Sequence, residues 1–162
     1  MIETETSDRD LPLRHTLATL AYRAAKVLRD APADFSVWRP GATSRSAGEI
    51  LSHLSDLCDW ALSLAQGDER WTTTAPGSWT EDSKRFFTAL TALDQYLSSS
   101  AELHAPAGKL FQSAIADALT HVGQLGMMRR LAGAPVRGEN YYVAEIEAGR
   151  TGSEQVPAAG EF

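Results

Sequence analysis

Apolar residues recur along the chain at intervals of three and four, the spacing that lines one face of an α-helix. In residues 11–30 the stripe is Leu13, Leu17, Leu20, Ala24 and Leu28. Asp10 is placed to cap its start, Pro12 sits near the first helical position, and Pro32 ends it. Trp38-Arg39-Pro40-Gly41 then disfavours helix, and Trp38 is expected to pack back onto the core. A second helix is predicted from a cap at Ser44 or Ser46 to about Gln66, closed by Gly67, with Ile50, Leu54, Leu57, Ala61 and Leu64 inward. Ser46 and Glu49 have the spacing of a capping box. After a loop over residues 68–78, Thr80 is expected to cap a third helix to about Ser99, with Phe86, Leu90, Leu93 and Leu97 inward. Pro106 and Gly108 break the chain again. A long fourth helix is predicted over residues 109–132, with Phe111, Ile115, Ala118, Val122 and Leu125 inward and Gly133-Ala134-Pro135 at its end. One short helix is expected near residues 141–148, followed by a mobile stretch containing Gly, Ser and Pro.

No alternating strand pattern, internal repeat or long heptad run interrupts this picture. The expectation is an all-α four-helix bundle with a long fourth helix and an irregular C-terminal tail. Its parts are an acidic segment over residues 1–10, the bundle over 11–149 and the tail over 150–162.

Composition narrows the function classes. With 43% hydrophobic and 22% charged residues in a chain of 162, there is enough apolar material for one domain with a real core. The net charge of −6 sits at the two ends. Residues 1–10 hold four acids and one Arg, residues 134–162 hold five acids and two Arg, and the middle is balanced. No basic stripe is left to track phosphates, so nucleic acid is disfavoured as a partner. Cys58 is the single cysteine, which rules out an internal disulfide and any Cys-rich zinc module; it reads as a small core residue of the second helix. No apolar run approaches the roughly 20 residues needed to span a bilayer. The acidic start is the opposite of a signal peptide, so no membrane association and a cytoplasmic location are expected.

Candidate chemistry rests on the histidines. His15 and His104 read as surface residues, whereas His53 and His121 lie mid-helix beside the apolar stripes. Asp117 precedes His121 by four residues, which stacks both side chains on one face of the fourth helix. A carboxylate and an imidazole so placed can reach one divalent metal, and His53 from the second helix can supply a third ligand. Asp117, His121 and His53 would form a two-histidine, one-carboxylate set with positions left for water or substrate. The plain alternative is a hydrogen-bonded Asp–His couple on a helix flank. Glu49 precedes His53 by the same four residues, so the spacing alone does not decide.

The segment Thr120-His121-Val122-Gly123-Gln124, followed by Met128-Arg129-Arg130-Leu131-Ala132-Gly133, resembles the last long helix of the DinB-like superfamily of damage-inducible-type four-helix bundles. Glu49-Ile50-Leu51-Ser52-His53-Leu54 resembles that family's second helix, whose histidine is the first metal ligand. Helix number, order and lengths agree over about residues 11–149. The resemblance implies that His53 is the first ligand and His121 the last, with Asp117 at the middle position, normally histidine. It implies one divalent transition metal (Zn, Ni, Mn or Fe), and the carboxylate shifts preference toward a harder ion than three imidazoles would. It further implies a metal-dependent enzyme of the thiol-transferase or hydrolase kind, with a small-molecule substrate or a low-molecular-weight thiol as partner, in a homodimer.

The competing expectation is a non-catalytic stress-response or interaction protein whose metal site is structural or degenerate. Gln124, one turn after His121, is a candidate to hydrogen-bond a ligand. Glu49 and Tyr142 are candidates for a general base or substrate contact. The segment Gly138-Glu139-Asn140-Tyr141-Tyr142 is a candidate substrate loop over the open end of the bundle. Arg129-Arg130 reads first as a complement to the helix dipole and second as a grip for an anionic substrate. Met127 and Met128 read as core filling. Trp38, Trp60, Trp71 and Trp79 could line a pocket mouth, with packing as the default.

Overall fold

The computed structural model describes residues 10–162, so all of the acidic segment except Asp10 lies outside the described residues. Helix α1 spans Leu11–Leu28, α2 spans Ala47–Ala65 and α3 spans Trp79–Ser98. The fourth rod is built from three contiguous pieces: α4 (Ala107–Leu110), a π-helical turn (Phe111–Ile115) and α5 (Ala116–Leu131). Among the described residues there is no strand, only an isolated antiparallel bridge between Glu139 and Glu161. No described helix is long and apolar enough to cross a membrane.

Local chemistry sets the helix starts. Ser46 Oγ accepts from the Glu49 amide at 3.2 Å, and the Glu49 carboxylate accepts from the Ser46 amide at 2.6 Å, which completes the expected capping box. The third helix is capped by Ser78, two residues earlier than the expected Thr80. Ser78 stands three residues before Glu81, and the pair forms a second capping box, which leaves Thr80 inside the first turn. Ser78→Ala is expected to lower unfolding stability by about 1 kcal/mol, and Thr80→Ala by much less, in urea titrations followed by circular dichroism.

Around the bundle the neighbours run α1, α3, α2, α5 and back to α1, so α2 and α5 face each other directly. The predicted stripes of α1 and α3 are buried throughout, including Leu17, Leu20, Phe86, Leu90 and Leu93. In α2, Ala65 is buried where Leu64 was expected, and Leu64 is half-buried. Phe35 and Trp38 stack between α2 and the end of α1, and Trp79 donates from Nε1 to the Leu28 carbonyl at 3.0 Å. Gly48 is required here, because a Cβ would stand 2.8 Å from the Ser36 carbonyl oxygen.

The π turn explains one departure in the fourth rod. Phe111, expected inward, is 45% exposed, and Leu110 is 1% exposed. A π turn holds one extra residue, so the inward position upstream of it moves back by one. Downstream, Ile115, Ala118, Val122 and Leu125 remain in the core.

Two segments without regular structure are tied down. The loop after α2 is strapped to that helix. The Ser52 hydroxyl donates to the Thr74 carbonyl at 2.7 Å, the Thr74 amide donates to Asp56 at 2.9 Å, and the Arg70 amide donates to Ser63 Oγ at 3.0 Å. Residues 150–162, expected to be mobile, return to the bundle. Thr151 is buried against Thr91, and the Asn140 and Phe162 amides donate to the Gly160 and Gly138 carbonyls at 2.9 and 3.1 Å. The short helix expected near residues 141–148 is a single 3-10 turn, Tyr141–Val143.

Candidate metal centre

The adjacency of α2 and α5 brings His53, Asp117 and His121 together at the rim of the bundle. One ligating atom from each residue lies within 4.8 Å of the other two. Asp117 Oδ2 is 3.6 Å from His53 Nε2 and 3.5 Å from His121 Nε2. The two imidazole rings meet edge to face at 4.9 Å between centroids. With metal–ligand bonds of about 2.1 Å, ligand atoms around one first-row cation stand roughly 3.0–3.4 Å apart. Movements of a few tenths of an ångström would therefore close two sides of the triangle around an ion. The donor set of two neutral nitrogens and one carboxylate fits a borderline divalent metal and leaves coordination positions free.

Exposure sets the direction of those free positions. The His53 and His121 side chains are 18% and 12% exposed, while the Asp117 carboxylate is 48% exposed. The histidines thus form the inner wall and the open side faces solvent. Burial, with the nearby His121 and Arg45 charges, holds the His53 imidazole below its ordinary pKa, while Asp117 opposes this. His53 therefore stands neutral near pH 7, the form that binds metal.

Of the three further candidates, Gln124 joins the site. Its Oε1 lies 2.7 Å from His121 Nδ1. A metal on Nε2 requires the proton on Nδ1, and the Gln124 oxygen is placed to accept it. Gln124→Ala is expected to weaken metal affinity about 10–100-fold without changing the fold, as read by competition with a chromogenic chelator.

The other two have different surroundings. The Glu49 carboxylate is occupied by the Ser46 amide and by Arg39 at 3.4 Å, and this bonding holds its pKa below the usual range. It serves the helix start. Tyr142 is 95% exposed, in a segment docked on α1. There Glu139 is buried between Tyr22 and Lys26, and Arg23 lies 3.8 Å over the Tyr141 ring. The segment 138–142 thus covers the flank of α1, because its one buried carboxylate finds a cation there.

Sequence reasoning left two features of the site undefined. Trp71, one of four tryptophans weighed together, lies edge to face with His53 at 5.7 Å and with Trp60 at the same distance. It is 48% exposed and forms an aromatic wall on the loop that Ser52, Asp56 and Ser63 strap to α2. No periodicity marks such a loop residue. The π turn that ends two residues before Asp117 also has no signal in the apolar spacing, although π turns recur at functional sites. Arg129 is buried among backbone carbonyls and so cannot grip a substrate. Cys58 is buried and its thiol pushed up by burial, as fits a core residue.

Compared with protein-family models, curated proteins and solved structures, the chain matches none.

Proposed function

We propose that this protein binds one divalent transition metal through His53, Asp117 and His121 and uses it as an enzyme. The observation that carries the reading is the convergence of three ligating atoms from two facing helices, within 4.8 Å of one another, with the carboxylate side open to solvent. A bound cation would supply Lewis acidity toward a thiol, a water or a carbonyl group. The chain's own residues do the rest. Gln124 holds the His121 tautomer, Trp71, backed by Trp60, shields one side of His53, and Asp117 offsets part of the cation's charge. The finer reading is a DinB-like thiol transferase or hydrolase, which the two helical motifs support by resemblance.

A second reading has its own observation. Asp117 already stands within 3.6 Å of both imidazoles and could pair with them without any cation, leaving an interaction module with a degenerate site. Metal analysis by inductively coupled plasma mass spectrometry separates the two. Untagged protein prepared without chelator should carry about one equivalent of Zn, Ni, Mn or Fe. No metal, even after incubation with each ion, would sink the enzyme reading and favour the second.

A further inference from the structure

Beside the metal ligands, on the face of α5 that carries Gln124, lies a groove of about 470 Å³. His121 and Gln124 form one end, and Ile50, Met127 and Leu131 line its apolar length. Met127 and Leu131 are 55% and 60% exposed, so they do not serve as the core filling expected of the methionine. Arg45 lines the same groove. Its guanidinium is exposed and makes no hydrogen bond or ion pair among the described residues. Arg39, six residues earlier, is by contrast committed to the Ser44 carbonyl at 2.8 Å and to Glu49 at 3.4 Å. One groove therefore combines a metal-ligand end, an exposed apolar wall and an exposed cation with no hydrogen-bond partner among the described residues.

We infer that this groove takes a small carboxylate ligand with an apolar chain, its carboxylate on Arg45 and its other end at the His53–Asp117–His121 cluster. The guanidinium fork matches a carboxylate in two parallel hydrogen bonds, which gives orientation as well as affinity. Met127 and Leu131 cover the chain, as apolar pocket walls do, and a few polar groups fix its direction. The inference deepens the metal reading and rests on it for the position of the ligand's far end.

The test uses two hydroxamates as probes, because a hydroxamate occupies two adjacent metal positions. Adipic monohydroxamic acid carries a carboxylate at its far end, and hexanohydroxamic acid carries a methyl. On Co²⁺-loaded protein the first is expected to bind about 10-fold tighter than the second, followed by the visible spectrum of the metal. Arg45→Ala and Arg45→Gln should abolish that preference, while Arg39→Ala retains it. Equal affinities in wild type, or a preference that survives both Arg45 variants, would overturn the inference with the metal reading intact. A metal-independent arm separates the two failures. In metal-free protein, millimolar hexanoate should shift the Met127 methyl resonance while hexanol does not, and Arg45→Ala should remove the shift. If the protein takes up no Co²⁺ but this shift is seen, the metal reading falls and the carboxylate groove stands. If hexanoate leaves the resonance unmoved there, the groove reading falls as well.

Discussion

His121→Ala is expected to weaken binding of a divalent metal by more than about 100-fold, with His53→Ala giving a loss of the same order. Removing a group that only orients a ligand already costs about 10–100-fold, so removing the ligand itself costs more. Each variant leaves a carboxylate and one imidazole, too few donors to compete with water and buffer for a labile ion. The two histidines come from different helices, His53 from α2 and His121 from α5. Equal losses would therefore show that one ion bridges the helices. A loss confined to His121→Ala would mean a site made only by the Asp117–His121 pair on α5.

The same variants distinguish a working metal from a structural one. Both histidines sit at the rim, and the core beneath them closes with Leu51, Leu54, Ala118 and Leu125 buried. Metal-free wild type and both metal-free variants should thus unfold cooperatively, close to one another and not far below the loaded protein. A metal that holds the fold together would instead make metal-free wild type melt far below the loaded protein. In that case both variants would melt early as well.

Much of the fold was legible because it depends on period. Four apolar stripes separated by Pro and Gly are enough to place four helical rods, and each of Leu17, Leu54, Phe86 and Val122 went where its spacing required. What escaped was whatever depends on a single residue of register or on a partner distant in sequence. Ser78 displaced Thr80 as a cap because Glu81 answers it three residues on, a cue that competes with an equally good neighbour. The π turn exchanged Phe111 for Leu110 because one extra residue fits the turn without altering the spacing downstream. The tail found its place through Lys26, which holds Glu139 at 2.8 Å and Glu161 at 2.9 Å, pairs separated by more than 100 positions.

The site divides along the same line. Asp117 and His121 share a helix face by local geometry, so their meeting could be read from spacing. His53 required only that α2 and α5 be neighbours. Trp71 and Arg45 were placed by a loop strap and by a connector, which carry no period. Glu49 and Tyr142 were named because they could lie near the metal ligands; a capping box claimed the first and α1 drew the segment of the second.

Arg129→Ala is expected to remove about 3 kcal/mol of stability, a large effect for a polar side chain away from the metal ligands. Arg129 is 5% exposed and makes no ion pair with a carboxylate among the described residues, the Asp30 carboxylate acting on it only through its charge. Its guanidinium donates to the Val27 and Arg29 carbonyls at 2.9 Å, to the Asp30 carbonyl at 3.2 Å and, from Nε, to the Ala134 carbonyl at 2.8 Å. Three of these acceptors lie at or just past the C-terminal end of α1, where unpaired carbonyls gather the negative end of the helix dipole. One side chain of α5 thereby closes α1 and fixes the turn that leaves α5. Alanine leaves the buried Val27 carbonyl without a donor, at about 1–3 kcal/mol, and also forfeits the charge-assisted bonds to the others. For a chain of this size the melting temperature should fall by about 6–12 °C. Arg129→Lys should recover only part of this, because an ammonium cannot spread four donors across a plane. Arg130 supplies the control. It is exposed on the next position of the same helix end, so a general charge–dipole effect would treat the two alike. Arg130→Ala is expected to stay within about 0.5 kcal/mol of wild type, and equal losses at the two positions would show that the dipole, not the carbonyl cage, is what Arg129 serves.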